Sequence, residues 1–307
     1  MTTKRTLLLA LDRTAVLFAG IAAGGIIGAS IFAGSGAVEA QASTALPKSA
    51  ATAAAPAVAE PARPGPRLLR TISEGGTVNV GVFGDSFGDG LHAGLYQQLP
   101  TRAGIAVHKE SRQGTGLTRY RTTDLLEDTR RRLAAQPVDI AILSFGANDT
   151  QGIYHEGRGA PYMSARWREI VTDRVTRIVA LLRDHGAMVW WVGLPTMRDP
   201  EYDAQIRQMN AFYAERMRML AVPFVDTAAP TAGPHGRYDP SMRRPGSGER
   251  FTARAGDGIH MTIPGYLALT RSLSAQIERT IAEARAEADR AAIPNPSSAD
   301  GAARSGL

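Results

Sequence analysis

Five short apolar runs punctuate the middle of this chain, at residues 77–83, 105–108, 139–145, 188–194 and 222–225. Runs of this length, rich in Val, Ile, Phe and Trp and bounded by turn-forming residues, predict β-strands. The third run, Asp139-Ile-Ala-Ile-Leu-Ser-Phe, is apolar at consecutive rather than alternate positions, as expected of a strand covered on both faces. Helical spacing between the strands predicts helices over 89–99, 124–135, 164–185 and 201–220, and a closing helix over 264–290. In the longest internal one, Ile170, Val171, Val175, Ile178, Val179 and Leu182 recur at helical intervals. Strand and helix in strict alternation predict an α/β fold, with a mostly parallel sheet and right-handed crossovers. Ligands of such sheets bind beyond the carboxyl ends of the strands. The residues just after each apolar run therefore matter most.

The ends of the 307-residue chain read differently. No charged residue occurs from Thr14 to Val38, and Lys4, Arg5 and Arg13 precede that segment. About 20 apolar residues span the roughly 30 Å of bilayer hydrocarbon, and the leading cations favour export of the downstream chain. Residues 1–42 thus read as a signal peptide or an N-terminal membrane anchor. Val38-Glu39-Ala40 and Ala40-Gln41-Ala42 offer small-residue cleavage sites. Residues 43–70 are rich in Ala and Pro and too poor in large apolar groups to pack, which predicts a disordered linker. The folded domain is expected over 71–290, with a flexible tail over 291–307. Membrane association is expected only through 14–38, and the expected compartment is extracytoplasmic, periplasmic or cell envelope, with a tether to the inner membrane if the segment is an anchor.

The absence of cysteine excludes disulfides, thiol nucleophiles and thiolate metal sites. Thirty-five Lys and Arg against 29 Asp and Glu give a net charge of +6. That balance would suit nucleic acid, but export makes anionic glycans, peptidoglycan or lipid headgroups better candidates, so no nucleic-acid partner is expected. No His pair has metal-ligand spacing, and neither a phosphate loop nor a dinucleotide fingerprint follows the first strand. No metal or cofactor is expected.

Three strings carry the chemistry: Gly84-Asp85-Ser86, Gly146-Ala147-Asn148-Asp149 and Asp257-Gly258-Ile259-His260. The first two directly follow predicted strands, and the third precedes the closing helix. Taken alone, Ser86 reads more plainly as a helix N-cap, and Asn148-Asp149 as a turn held by side-chain to backbone bonds. Together the strings supply a hydroxyl nucleophile, a neutral amide suited to an oxyanion, and a histidine with a carboxylate three residues away. Those are the parts of acyl transfer through a serine ester. His92, His108, His155, His185 and His235 lack a comparable partner and read as surface or packing residues.

This combination resembles the SGNH, or GDSL-type, serine hydrolase superfamily, named for four sequence blocks. Gly84-Asp85-Ser86-Phe87 resembles the first block, with Phe87 in place of the usual leucine. Gly146-Ala147-Asn148-Asp149 matches the third and Asp257-Gly258-Ile259-His260 the fourth. The second block requires a glycine whose amide joins the oxyanion hole. Gly116 fits best within Gln113-Gly-Thr-Gly-Leu-Thr, and Gly114 is the second choice. The resemblance covers about residues 77–285. It implies a flavodoxin-like three-layer α/β/α domain with a five-stranded sheet in the order 2-1-3-4-5. It further implies that Ser86 is the nucleophile, His260 the base and then acid, and Asp257 its orienting carboxylate. The Ser86 and Gly116 amides and the Asn148 side chain would form the oxyanion hole.

The expected activity is an exported serine ester hydrolase that removes O-acyl groups, chiefly acetyl, from an envelope polysaccharide or peptidoglycan. An O-acyltransferase with the same triad is the alternative, and a non-catalytic envelope-binding module is a third reading. The partner is then an acylated glycan or other ester, and protein partners are unspecified. Residues 227–256 read as a long loop whose Arg237, Arg243, Arg244, Arg250 and Arg254 outnumber Asp239 and Glu249. Such a loop is either an anion-attracting cover beside His260 or simply a solvated surface. Arg119, Arg121, Arg130, Arg131 and Arg132 read as a charged helix face.

Overall fold

Alternate residues of strand β1 (Val78–Gly84) serve two different cores: Val80 and Val82 pack on one side and Phe83 on the other. The same division holds in β3 (Ile140–Ser144), where Ile140 and Ile142 oppose Ala141 and Leu143. It holds again in β6 (Met188–Val192), where Trp190 and Val192 oppose Val189 and Trp191. Because side chains alternate along a strand, a sheet with apolar residues at every position must be covered on both faces. With β2 (Ile105–Lys109) and β7 (Phe224–Val225), these strands form one parallel sheet in the order β2-β1-β3-β6-β7. Counting only these five strands along the chain, the order is 2-1-3-4-5, the flavodoxin-like arrangement. The computed structural model describes residues 63–120 and 123–292.

Helices α1 (Pro66–Ser73), α2 (Ser86–Gln98) and α7 (Ile263–Ala292) cover one face. Leu68, Phe87, Leu91, Leu95, Leu273 and Ile277 join Val80 and Ile142 in its core. Helices α3 (Leu125–Ala135), α4 (Ala165–Asp184) and α5 (Pro200–Met219) cover the other. There Leu133, Trp167, Val171, Val179, Met209 and Tyr213 surround Leu143 and Trp191. Helix starts follow local chemistry. The Asp124 side chain accepts from the amides of Leu126 and Glu127, and Ser164 from that of Trp167. Asp199 accepts from Tyr202, with Pro200 pre-set at the first helical position.

The fold departs from the sequence expectations in three places. First, α1 begins at Pro66, inside the predicted linker 43–70; proline suits the first turn of a helix, and Leu68 is fully buried against the rest of the domain. Second, the closing helix reaches Ala292, two residues into the predicted tail over 291–307. Third, two hairpins occupy stretches without strand-like apolar runs: β4 (Ile153–His155) with β5 (Arg158–Ala160), and β8 (Ser241–Arg243) with β9 (Arg250–Thr252). Their three-residue strands are too short to show a period. The second hairpin and a one-turn helix α6 (Ala228–Thr231) structure the region expected to be a long loop. Residues 1–62, with the expected export segment and most of the linker, and the tail from 293 lie outside the described residues. Among the described residues, no helix is long and apolar enough to cross a membrane.

Candidate active site

The sheet itself brings the first and third sequence blocks together. β1 and β3 are neighbours in register, with Gly84 opposite Ser144, so the chain leaves both strands on the same edge. Ser86 is the first residue of α2, and Asn148 lies four residues beyond the end of β3. The cap of α2 is not Ser86 but Asp85, whose side chain accepts from the Phe87 amide at 2.9 Å. The Ser86 hydroxyl is thereby left for other work.

His260 reaches this edge from the turn that precedes α7, a helix packed along α2. Its Nε2 lies 2.8 Å from Ser86 Oγ. Its Nδ1 lies 2.6 Å from Asp257 Oδ2, while Asp257 Oδ1 accepts the amides of Ile259 and His260 at 2.8 and 2.9 Å. One carboxylate thus fixes both the turn and the imidazole. Burial by itself would raise the Asp257 carboxyl, but the hydrogen bonds from the His260 ring and the two amides outweigh it and hold the carboxyl at about 2. Asp257 is therefore ionised throughout the neutral range and fixes His260 with its proton on Nδ1, leaving Nε2 to accept from a hydroxyl.

Asn148 sits beside the second block. Its Nδ2 donates to Thr115 O at 2.9 Å and lies 3.5 Å from Asp85 Oδ2. A primary amide carries two hydrogens, so one is committed to Thr115. Gly116 packs directly on this residue. A Cβ added at Gly116 would lie 3.3 Å from the Asn148 Cβ and 2.5 Å from Asp149 Oδ1, whereas one added at Gly114 would meet nothing within 4 Å. Of the two candidate glycines, Gly116 is the one held against Asn148. The buried Asp149 holds the loop by accepting from Thr118 N and Thr118 Oγ1, both at 2.7 Å.

Burial pushes the Asp85 carboxyl up to about 7, with the neighbouring Asp149 charge adding to the rise and the Phe87 amide opposing it. A folded value above the ordinary 3.8 means that this group contributes stability fully below pH 3.8 and loses it as pH rises through about 7. Asp85→Asn keeps an oxygen for the cap and removes the ionisation. The variant should gain on the wild type as pH rises from about 4 to about 8. Denaturant midpoints at the two pH values check this.

The loop arginines divide between the surface and the interior. Arg250 pairs with Asp239 and Arg244 with Glu249, while Arg243 donates to Gly248 O. Arg254 is buried, with its guanidinium on backbone carbonyls. Of the five loop arginines, these four are engaged within the protein, three of them at the surface, as the solvated-loop reading has it. Arg119 is not on a helix; it donates to Gly114 O at 3.1 Å beside the second block. Arg130, Arg131 and Arg132 do lie on α3 and pair with Glu127 and Asp128. Arg121 lies outside the described residues.

Beside the triad opens a cleft of ≈ 460 Å³ lined by Ala147, Arg198, Asp199, Tyr202, Asp257 and Ile259. Tyr202 donates its hydroxyl to Ala147 O at 2.6 Å, linking α5 to the third block. Arg198, Asp199 and Tyr202 carry no sequence signal for this role, since nothing in their spacing relates them to the distant triad. Among the described residues, no group of three or more His, Asp or Glu is placed to hold a metal.

Solved structures similar to this chain include a GDSL-like lipase from Bacteroides thetaiotaomicron, at 16% identity and a TM-score of 0.46, covering 71% of this chain and 97% of that one. Another is the periplasmic domain of a lipopolysaccharide acetyltransferase from Salmonella ser. Paratyphi A, at 14% identity and a TM-score of 0.46, covering 69% of this chain and 94% of that one. No curated protein matches the sequence. The family described as "Protein of unknown function (DUF459)" matches residues 79–276, a span that takes in Ser86, Gly116, Asn148, Asp257 and His260. The chain belongs to that family.

Proposed function

We propose that this protein is a serine ester hydrolase that removes O-acyl groups, chiefly acetyl, from a polysaccharide or peptidoglycan of the cell envelope. The observation that carries the reading is the continuous relay Asp257–His260–Ser86, with contacts of 2.6 and 2.8 Å. His260 Nε2 takes the Ser86 proton as Oγ attacks the ester carbonyl, and Asp257 stabilises the imidazolium that forms. The tetrahedral oxyanion is received by the Ser86 and Gly116 amides and by the Asn148 hydrogen that makes the long, 3.5 Å contact to Asp85 Oδ2 in the resting site and turns from it to the substrate. His260 then returns the proton to the leaving alcohol, leaving an acyl-serine. Water, activated by the same imidazole, completes hydrolysis.

Support for a glycan in the envelope comes from the uncharged segment over 14–38, which favours export. The cleft beside Asp257 supports a second reading, because a space of ≈ 460 Å³ lined by that carboxylate and Tyr202 can seat an acceptor sugar as readily as water. An O-acyltransferase would use the same acyl-serine. Incubating the purified protein with a small activated acetyl ester and an unacetylated glycan separates the two. Acetate release exceeding glycan acetylation supports the hydrolase; the reverse ratio makes it a transferase.

Asn148→Ala should lower kcat on such an ester by about 10²–10³-fold, the usual cost of one oxyanion donor, with KM little changed. A smaller drop would mean that the backbone amides carry the oxyanion alone. Steady-state kinetics on the two proteins check this.

A further inference from the structure

The turn that carries Asp257 and His260 is exposed, with 44% and 34% of their side-chain surfaces open. A turn so placed needs an external hold if Nε2 is to stay within reach of Ser86. Two arginines grip it from opposite sides. Arg254 is 3% exposed and points its guanidinium at carbonyls: Nη1 donates to Thr196 O at 2.5 Å and Nη2 to Ile259 O at 2.9 Å. Longer contacts of 3.4 Å run from Nη2 to Gly258 O and from Nε to His260 O. The guanidinium lies over the Tyr238 ring, 4.8 Å from its centroid. A buried cation held by carbonyl dipoles rather than by a carboxylate is costly to keep.

Arg198 acts from outside. Its amide donates to Gly258 O at 3.1 Å and its Nη2 to Gly256 O at 2.7 Å. Its side chain lies across Gly258, where φ is +76° and an added Cβ would come within 2.5 Å of the Arg198 Cβ. Thr196 and Arg198 both belong to the segment that leaves β6, the strand paired with β3. The two arginines therefore tie the His260 turn to the same sheet that presents Asn148.

We propose that Arg254, with Arg198 as its outer counterpart, is a positioning residue that fixes the distance and angle of His260 relative to Ser86. This rests on the serine-ester reading above. Misplacing a reacting group by about 1 Å can cost on the order of 10²-fold in rate, so the effect belongs in kcat rather than in KM.

The test uses the full chain as wild type, Arg254→Lys, Arg254→Met and Arg198→Ala. It measures thermal midpoints, kcat and KM on a small acetyl ester, and the downfield proton resonance of the His260 Nδ1–Asp257 hydrogen bond. Lysine keeps the charge but cannot span carbonyls on both sides. The expected result is a folded Arg254→Lys protein with kcat lowered about 10²-fold, KM within about twofold, and a shifted or broadened resonance. Arg198→Ala, a surface change, should show the same split to a smaller degree. A folded Arg254→Lys or Arg254→Met protein with wild-type kcat and resonance overturns the proposal. If neither Arg254 variant folds, Arg198→Ala decides: a shifted resonance supports the proposal, and a change in KM alone overturns it. A wild type that shows the resonance but no turnover would sink the esterase reading, while the resonance in the variants would still judge the two arginines.

Discussion

Replacing Ser86 with alanine should lower turnover of a small acetyl ester by between about 10⁴ and 10⁶-fold, as removal of a triad nucleophile does, and leave the fold intact. The two halves of this expectation have separate origins. The loss follows because, in the proposed mechanism, the hydroxyl 2.8 Å from His260 Nε2 is the group that attacks. The intact fold follows because Asp85, not Ser86, caps α2, and alanine is a good residue for a helical first turn. Thermal denaturation of the variant beside its kinetics separates the two. A Ser86→Ala protein that melts well below the wild type would mean that the serine also holds the helix start.

Asp257→Asn has the next largest expected effect, a fall in kcat of about 10⁴-fold. The asparagine occupies the same space and can still receive the Ile259 and His260 amides through its oxygen. Its amide nitrogen, a donor, then faces His260 Nδ1 and turns the imidazole to the tautomer with its proton on Nε2. That nitrogen can no longer accept from Ser86. The pH dependence has a definite sign. The Asp257 carboxyl is held at about 2 in the folded protein against an ordinary 3.8. Its contribution to stability is therefore present above pH 3.8 and lost as pH falls toward 2. Because the carboxylate is partly solvated, the contribution is screened and small. Kinetics at neutral pH should thus change far more than the melting temperature, and the small difference in melting temperature between the two proteins should vanish as pH falls from about 4 to 2.

Much of this molecule is legible in the sequence because its signals are local. The run Ile140-Ala141-Ile142-Leu143 reads as a doubly covered strand, since each face of the pleat receives every second residue. Ser86, Asn148 and His260 are recognisable because strand ends and helix starts of a parallel sheet converge on one edge. What escapes notice is set by tertiary contact. Pro66 and Leu68 sit in a proline-rich stretch that reads as a tether until a helix face is available to bury the leucine. Arg254 reads as one of several loop cations, and only the folded chain turns it inward onto Thr196 and Ile259. Asp85 reads as part of a motif, yet its role as the α2 cap depends on the backbone angle at the exit from β1. That Gly116 rather than Gly114 packs against Asn148 and Asp149 is likewise a tertiary fact.

The central claim is that Ser86 becomes acylated during turnover. Its most direct test is to expose the protein to a fluorophosphonate, or to an activated acetyl ester quenched in acid, and map the modified peptide by mass spectrometry. The expected result is a single covalent adduct on Ser86, formed rapidly in the wild type and slowly in Asp257→Asn. No adduct, or one on another residue with Ser86 unmodified, would contradict it.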